Sequence, residues 1–344
     1  PSPSPSASAQ DTHGYLLRAQ ALAHTKAPLA RVLALYDQAQ KLANTTAEHE
    51  EQILARAWFL HKRGDVITAL HLASPLRGSV NSERRAEAQL IHLYALYWDR
   101  DFKRLGDLLE RSLGDWPRVP RLHGEALLAL VQASHETTSA GRGTGLRRAK
   151  TLARRACNAG AGGQALCLEP NVDLYLYSSR VFKAAHPDEV LGRIREALRA
   201  SPDNLYAYAL LAFAGYTFYA GESSGETRRR MLEASLEGTR GVIELRHIRF
   251  SADLLRNGHV LFLLDRFREA KEEFRQAAHL DPSSLEAALW VAAARDALGE
   301  KDPAADTVRR LHSAQPRQLV ALLEAGGGTL RLKEVGTWIR SLIR

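Results

Sequence analysis

Apolar residues recur along most of this chain at helical spacing, broken by short polar stretches. In residues 266–284, RFREAKEEFRQAAHLDPSS, the positions Phe267, Ala270, Phe274 and Ala277 fall on one narrow edge with charges between them. Leu280-Asp281-Pro282 then stops the run, because proline cannot continue the helical turn before it. The pattern is periodic. Leu254, Gly258, Leu261, Ala270, Phe274, Ala277 and Pro282 occupy a spacing that returns 34 residues later with Ala288, Ala292, Ala304, Val308, Leu311 and Pro316. Leu174, Ser178, Val181, Val190, Ile194, Ala197 and Pro202 carry it earlier in the chain. Self-similarity at such a period is the mark of a repeat architecture.

Each unit reads as two helices. The first carries a small residue (Gly258, Ala292, Ser178) where a neighbouring helix must come close. A turn follows, as in Asp265-Arg266 and Gly299-Glu300. The second helix offers an alanine to the first and one large apolar residue, and proline closes the unit. The edge is narrow because the helix meets only its hairpin partner and the next unit.

This pattern resembles the tetratricopeptide repeat superfamily, with residues 251–284 the best match and 171–204 and 285–318 good ones. Ile53, Ala57 and Leu60 with the turn Gly64-Asp65 and Ala69 form another unit, and Leu16, Ala19, Ala23, Val32, Tyr36 and Ala39 a first one. Residues 82–117 read as a pair around Asp99-Arg100-Asp101. Two units depart from the period. Residues 119–160 carry an extra loop, TTSAGRGTG, and a glycine-rich stretch, NAGAGGQ. Residues 205–250 hold the insertion GESSGE and a long second helix. The resemblance implies an all-α solenoid of about eight tetratricopeptide-like hairpins over 13–316. Residues 317–344 are expected to cap it, with Val335, Trp338, Ile339 and Leu342 on one side of the last helix. Residues 1–12, rich in proline and serine, read as a flexible linker or the trimmed end of an export signal.

Composition agrees with a helical protein: 344 residues, 45% hydrophobic and 25% charged. No run of apolar residues is long enough to span a membrane. Lys and Arg number 47 against 39 Asp and Glu, a net charge of +8. That balance favours acidic partners. No catalytic constellation stands out: GRGTG at 141–145 has neither the preceding strand nor the lysine–hydroxyl pair of a phosphate loop, and neither HExxH nor GxSxG occurs. No metal-ligand spacing is present, so no cofactor and no metal is expected. Cys157 and Cys167, with nine residues between them, are either a small disulfide loop or two buried thiols. Export to the periplasm or cell envelope would favour the disulfide; a cytoplasmic location is the alternative.

The resemblance implies that the first helix of each pair lines a concave groove. In this register the inward positions include Tyr175, Phe182, Tyr206, Phe213, Tyr216, Leu255, His259, Phe262 and Trp290. The family's carboxylate clamp of Lys and Asn is nearly absent there. A non-enzymatic scaffold holding a hydrophobic or helical segment of a partner protein is therefore the leading expectation; aromatics that fill their own groove are the bland one. A different class of function rests on the helix GLRRAKTLARRA, whose Arg147, Arg148, Lys150, Arg154 and Arg155 would meet nucleic acid or an anionic envelope polymer. A helper or sensor subunit of a larger complex is the third reading.

Overall fold

The computed structural model describes residues 7–159, 169–172, 186–221, 224–246, 248–324 and 333–343. Among them every regular element is a helix. In order they are α1 (Ala7–His24), α2 (Leu29–Leu42), α3 (Thr46–Lys62), α4 (Val66–Ala73), α5 (Ser82–Asp99), α6 (Phe102–Ser112), α7 (Arg118–His135), α8 (Ser139–Asn158) and α9 (Pro187–Ala200). Then follow α10 (Leu205–Gly221), α11 (Gly225–Leu245), α12 (Ser251–Leu263), α13 (Phe267–Leu280), α14 (Leu285–Ala297), α15 (Lys301–Ala314), α16 (Pro316–Glu324) and α17 (Lys333–Ile343). The chain forms two compact units, Pro1–Ala214 and Gly215–Arg344, whose boundary falls inside α10.

In the first unit α1 packs on α2, α3 on α4, α5 on α6 and α7 on α8. In the second, α12 packs on α13 and α14 on α15, and α13 also packs on α14. The turns within these hairpins, apart from α7–α8, share one device. Lys26, Gly64, Arg100, Asp265 and Gly299 all have positive φ, between 56° and 84°. A single left-handed residue follows the first helix and helps reverse the chain within two to four residues. Two of the second helices, α4 and α6, then start on side-chain caps: Asp65 accepts from the Thr68 N–H and Asp101 from the Arg104 N–H. Between hairpins, Thr45 and Glu48 form a reciprocal capping box that starts α3.

The small positions act as the repeat pattern requires. Ala57, Ala69, Ala270, Ala277, Ala292 and Ala304 are fully buried. A Cβ on Gly258 would lie 2.6 Å from the Phe274 ring of its partner helix. Two expectations change. The stretch TTSAGRGTG is not an extra loop: Thr138 caps α8 by accepting from the Gly141 N–H, and the helix begins at Ser139. Its glycines serve close approach, since a Cβ on Gly145 would sit 2.8 Å from the Ala133 Cβ. Of the stretch 1–12 expected to be a linker, the residues from Ala7 onward are helical, since α1 begins there, where alanine, the best helix former, replaces the prolines. The long second helix expected after GESSGE is α11, of 21 residues.

Replacing Ala270 with Arg is expected to destabilise the second unit by several kcal/mol, the cost of forcing an unpaired charge into a close helix contact. Thermal unfolding checks this; an unchanged midpoint would mean that the register of residues 251–284 is wrong.

Candidate functional site

The start of α10 reaches back to the first hairpins. Asp203, Asn204 and Leu205 follow the proline that closes a repeat, and Asn204 caps α10 by accepting from the Tyr206 and Ala207 N–H groups. Asp203 is 0% exposed and forms an ion pair with Lys62 at the end of α3, 2.9 Å away. Lys62 also donates to the Ser201 hydroxyl at 3.2 Å, and that hydroxyl donates to Asp203 at 2.7 Å. Burial would raise the Asp203 carboxyl, but the Lys62 charge and hydrogen bond, with the Ser201 hydroxyl, outweigh it and hold the group below its ordinary range. Around this clasp, Lys26 lies over the Tyr208 ring at 4.8 Å, and Tyr206 stacks on Trp98 at 4.5 Å. Three successive hairpins of the first unit are thus tied to one segment of chain.

Beside the clasp lies a cavity of about 560 Å³. Helices α1, α3 and the start of α5 supply most of its walls, with Tyr36 of α2, and Asp203 also lines it. Its apolar lining includes Leu16, Leu54 and Phe59, together with Leu17, which is exposed, and the half-buried Trp58. Its carboxylates are Glu51, Glu83, Glu87 and Asp203; two histidines, His13 and His24, also line it, His13 lying 3.7 Å from Glu51; its cations, Lys62 and Arg84, are engaged. Lys62 pairs with Asp203, and Arg84 pairs with Glu50 at 3.0 Å. Glu87 is raised above the usual carboxylate range, first by burial and then by the charge of Glu83; a hydrogen bond from Trp58 and the charge of Arg84 oppose this. A partly buried carboxyl next to an indole, without a dedicated cation, is suited to receiving one.

The aromatic residues expected to line an open track are placed differently. Tyr206 is buried against Trp98 and His61. In the second unit His259 is 1% exposed and lies between Tyr216 at 5.7 Å and Trp290 at 4.9 Å. Trp290 is fully buried and also meets Phe262 and Phe274, each at 5.3 Å. Leu255 is buried; Tyr216 and Phe262 are half-buried. The register therefore does bring Tyr216, His259, Phe262 and Trp290 together, but as a packed column. His259 and Trp290 are corrected from ligand contacts to core residues, because each ring is enclosed by its neighbours. Phe213 alone among the described members is exposed, at 56%. Tyr175 and Phe182 lie outside the described residues.

Of the basic set on α8, Arg154 bonds to Glu169 at 2.6 Å, and Arg193 of α9 reaches the same carboxylate at 3.1 Å. Arg147 donates to the Thr144 hydroxyl. Arg148 and Arg155 are exposed, and Lys150 is half-buried. Cys157 carries a free thiol, pushed up to about 11 by burial and then by Glu169, while Cys167 lies outside the described residues. Sequence reading missed the cavity. Trp58 follows Ala57 as His259 follows Gly258, so the repeat register marks it as an inner residue; the glutamates carry no comparable signal. Asp203 and Lys62 are 141 residues apart, and no local pattern joins them.

Two further predictions rest on these side chains. Lys62→Met should cost about 3–5 kcal/mol, the penalty for stranding a buried carboxylate. Asp203→Asn in the same background should recover part of the loss; denaturant unfolding measures both. The second concerns histidine. His61 is pushed down to about 3, and His123 and His259 each to about 4, all by burial. Unfolded histidine titrates near 6.5, so below that the unfolded chain binds more protons. Stability is full above about pH 6.5 and falls as the pH drops towards 4, by up to about 1.4 kcal/mol per pH unit for each histidine. A urea midpoint that does not fall between pH 7 and 5 would contradict this.

No protein-family model and no curated protein sequence matches the chain. Solved structures do resemble it. TTC0263, a thermophilic TPR protein of Thermus thermophilus, is 19% identical with a TM-score of 0.36, over 63% of this chain and 98% of that one. Yeast Tom70 is 13% identical with a TM-score of 0.33, over 89% of this chain and 63% of that one. A human IFIT1 dimer with PPP-AAAA is 14% identical with a TM-score of 0.38, over 94% and 86%. Each of these likenesses is below 20% identity with a TM-score below 0.5, and the fold is read from the chain's own features. With its repeating register, its left-handed hairpin turns and its buried alanine seams, the chain has the tetratricopeptide-like helical-repeat fold.

Proposed function

We propose that this chain is a non-catalytic interaction module, and that the cavity walled by α1, α3 and α5 takes a cationic, partly apolar segment of a partner protein. One observation carries the reading. The chain has a net charge of +8, yet this cavity is lined by Glu51, Glu83, Glu87 and Asp203, against Lys62 and Arg84, which are already paired, and His13, which faces Glu51 at 3.7 Å. A lysine or arginine side chain entering there would meet the Glu87 carboxylate and the Trp58 ring together. Its charge would lower the raised Glu87 and gain a cation–π contact. Leu17 gives an adjoining aliphatic residue somewhere to bury. Apolar contact and charge then share the work of recognition. Nucleic acid is disfavoured here, because its phosphates would face like charge.

Selection from a displayed library of random peptides tests this. The expected winners carry Lys or Arg beside an aliphatic residue. Calorimetry with such a peptide should show about tenfold or greater loss, roughly 1.4 kcal/mol, on changing Glu83 and Glu87 together to Gln. Affinity should also fall as the pH drops through the raised Glu87 value, since protons compete with the ligand cation. Enrichment of acidic peptides, or an unchanged affinity in the double variant, would refute the assignment.

A further inference from the structure

A second, smaller cavity of about 230 Å³ lies in the first unit between α4, the short 3₁₀ turn Ser74–Gly78 and α5. It shares no residue with the acidic cavity. Leu70 and Ala88 contribute apolar wall; His71, Ser74, Arg77 and His92 contribute the polar groups. Among the described residues no carboxylate lines it. Arg77 donates to the Ser74 hydroxyl at 2.8 Å, which ties one end of its guanidinium to the turn and leaves its other donors available.

We propose that this cavity is an anion site for a phosphate group, held by Arg77 and His92 with help from His71 and Ser74. Charge and donor chemistry argue for it. His92 is half-buried on α5, and the titratable groups that act on it are Arg77 from the turn and Arg104 from α6, both cations. Burial first, and then those two charges, keep its imidazole below the usual histidine range. A positive field of this kind, in a cavity whose lining holds no acid, is relieved by a dianion. Phosphate offers three acceptor oxygens, enough for a bidentate guanidinium, an imidazole N–H and the serine hydroxyl at once. The volume suits a phosphate with a short attachment and is smaller than usual cofactor-sized sites. The shared chemistry is the phosphate group, whether free or borne on a side chain.

Histidine ring resonances of the full chain, titrated with inorganic phosphate and separately with phosphoserine, test the site against sodium chloride at equal ionic strength. His71→Asn and His92→Asn assign the two signals. Both should shift saturably with phosphate, and the His92 titration midpoint should rise by roughly one pH unit or more. Arg77→Gln should weaken binding about tenfold or more; Arg77 is exposed and its one described hydrogen bond is to Ser74, so the fold should persist, as far-ultraviolet circular dichroism will report. Tighter binding of phosphoserine would assign a phosphorylated side chain as the source, and equal or tighter binding of inorganic phosphate the free ion; either supports the site. Shifts no larger than those in chloride, or full affinity in Arg77→Gln, would overturn it.

Discussion

The Lys62–Asp203 ion pair is the contact on which the first unit depends. Helical hairpins stacked in sequence touch mainly their neighbours, and each interface can form on its own. The clasp adds a constraint of another kind. It joins the end of α3, in the second hairpin, to a carboxylate 141 residues later that is wholly shielded from water. Loop closure over that distance costs entropy, so the contacts it fixes have to act together. Tyr206 on Trp98, Tyr208 under Lys26 and Asp203 on Lys62 supply that combination. Asp203 also lines the larger cavity. A binding surface made by repeats far apart in sequence is thereby held in one shape before any partner arrives, which reduces the ordering cost of association.

Much of the fold was legible because repeat physics is local. Ala270, Phe274 and Ala277 are buried as their spacing implies, and the turns at Gly64, Asp265 and Gly299 reverse the chain where the pattern breaks. The glycines of α8 misled for a physical reason. Glycine is a poor helix former in isolation, but here it lets α8 approach Ala133 closely, and packing overrides propensity. The inner aromatics misled for another. Repeat register tells which face a side chain leaves from, but not how tightly the repeats close upon that face. His259 and Trp290 left from the expected face and were enclosed by Tyr216, Phe262 and Phe274. The cavity was invisible because it needs Asp203, whose partner no periodicity connects to it.

Charge divides the molecule more sharply than its total suggests. Interleaved acids and bases on the outer helix faces, such as Arg266 with Glu269 and Arg275 with Glu272, contribute little to stability. Arg154, a candidate for polyanion contact by sequence, is committed to Glu169. What remains is an acidic inner cavity and a smaller basic one in the same unit, each with a partly buried titratable group, Glu87 and His92, displaced from its usual range by its surroundings. Displacement of that sort marks places where a ligand's charge changes the energy most. On the proposed reading, selectivity follows from sign, each cavity repelling what the other attracts.

Recognition of a cation through Glu87 is open to a charge-reversal cycle between the Glu87→Lys variant and a cavity-binding peptide whose lysine is replaced by glutamate. Either change alone should weaken binding, and the two together should restore a substantial part of it, with a coupling energy on the order of 1 kcal/mol or more. Independent, additive losses would contradict it.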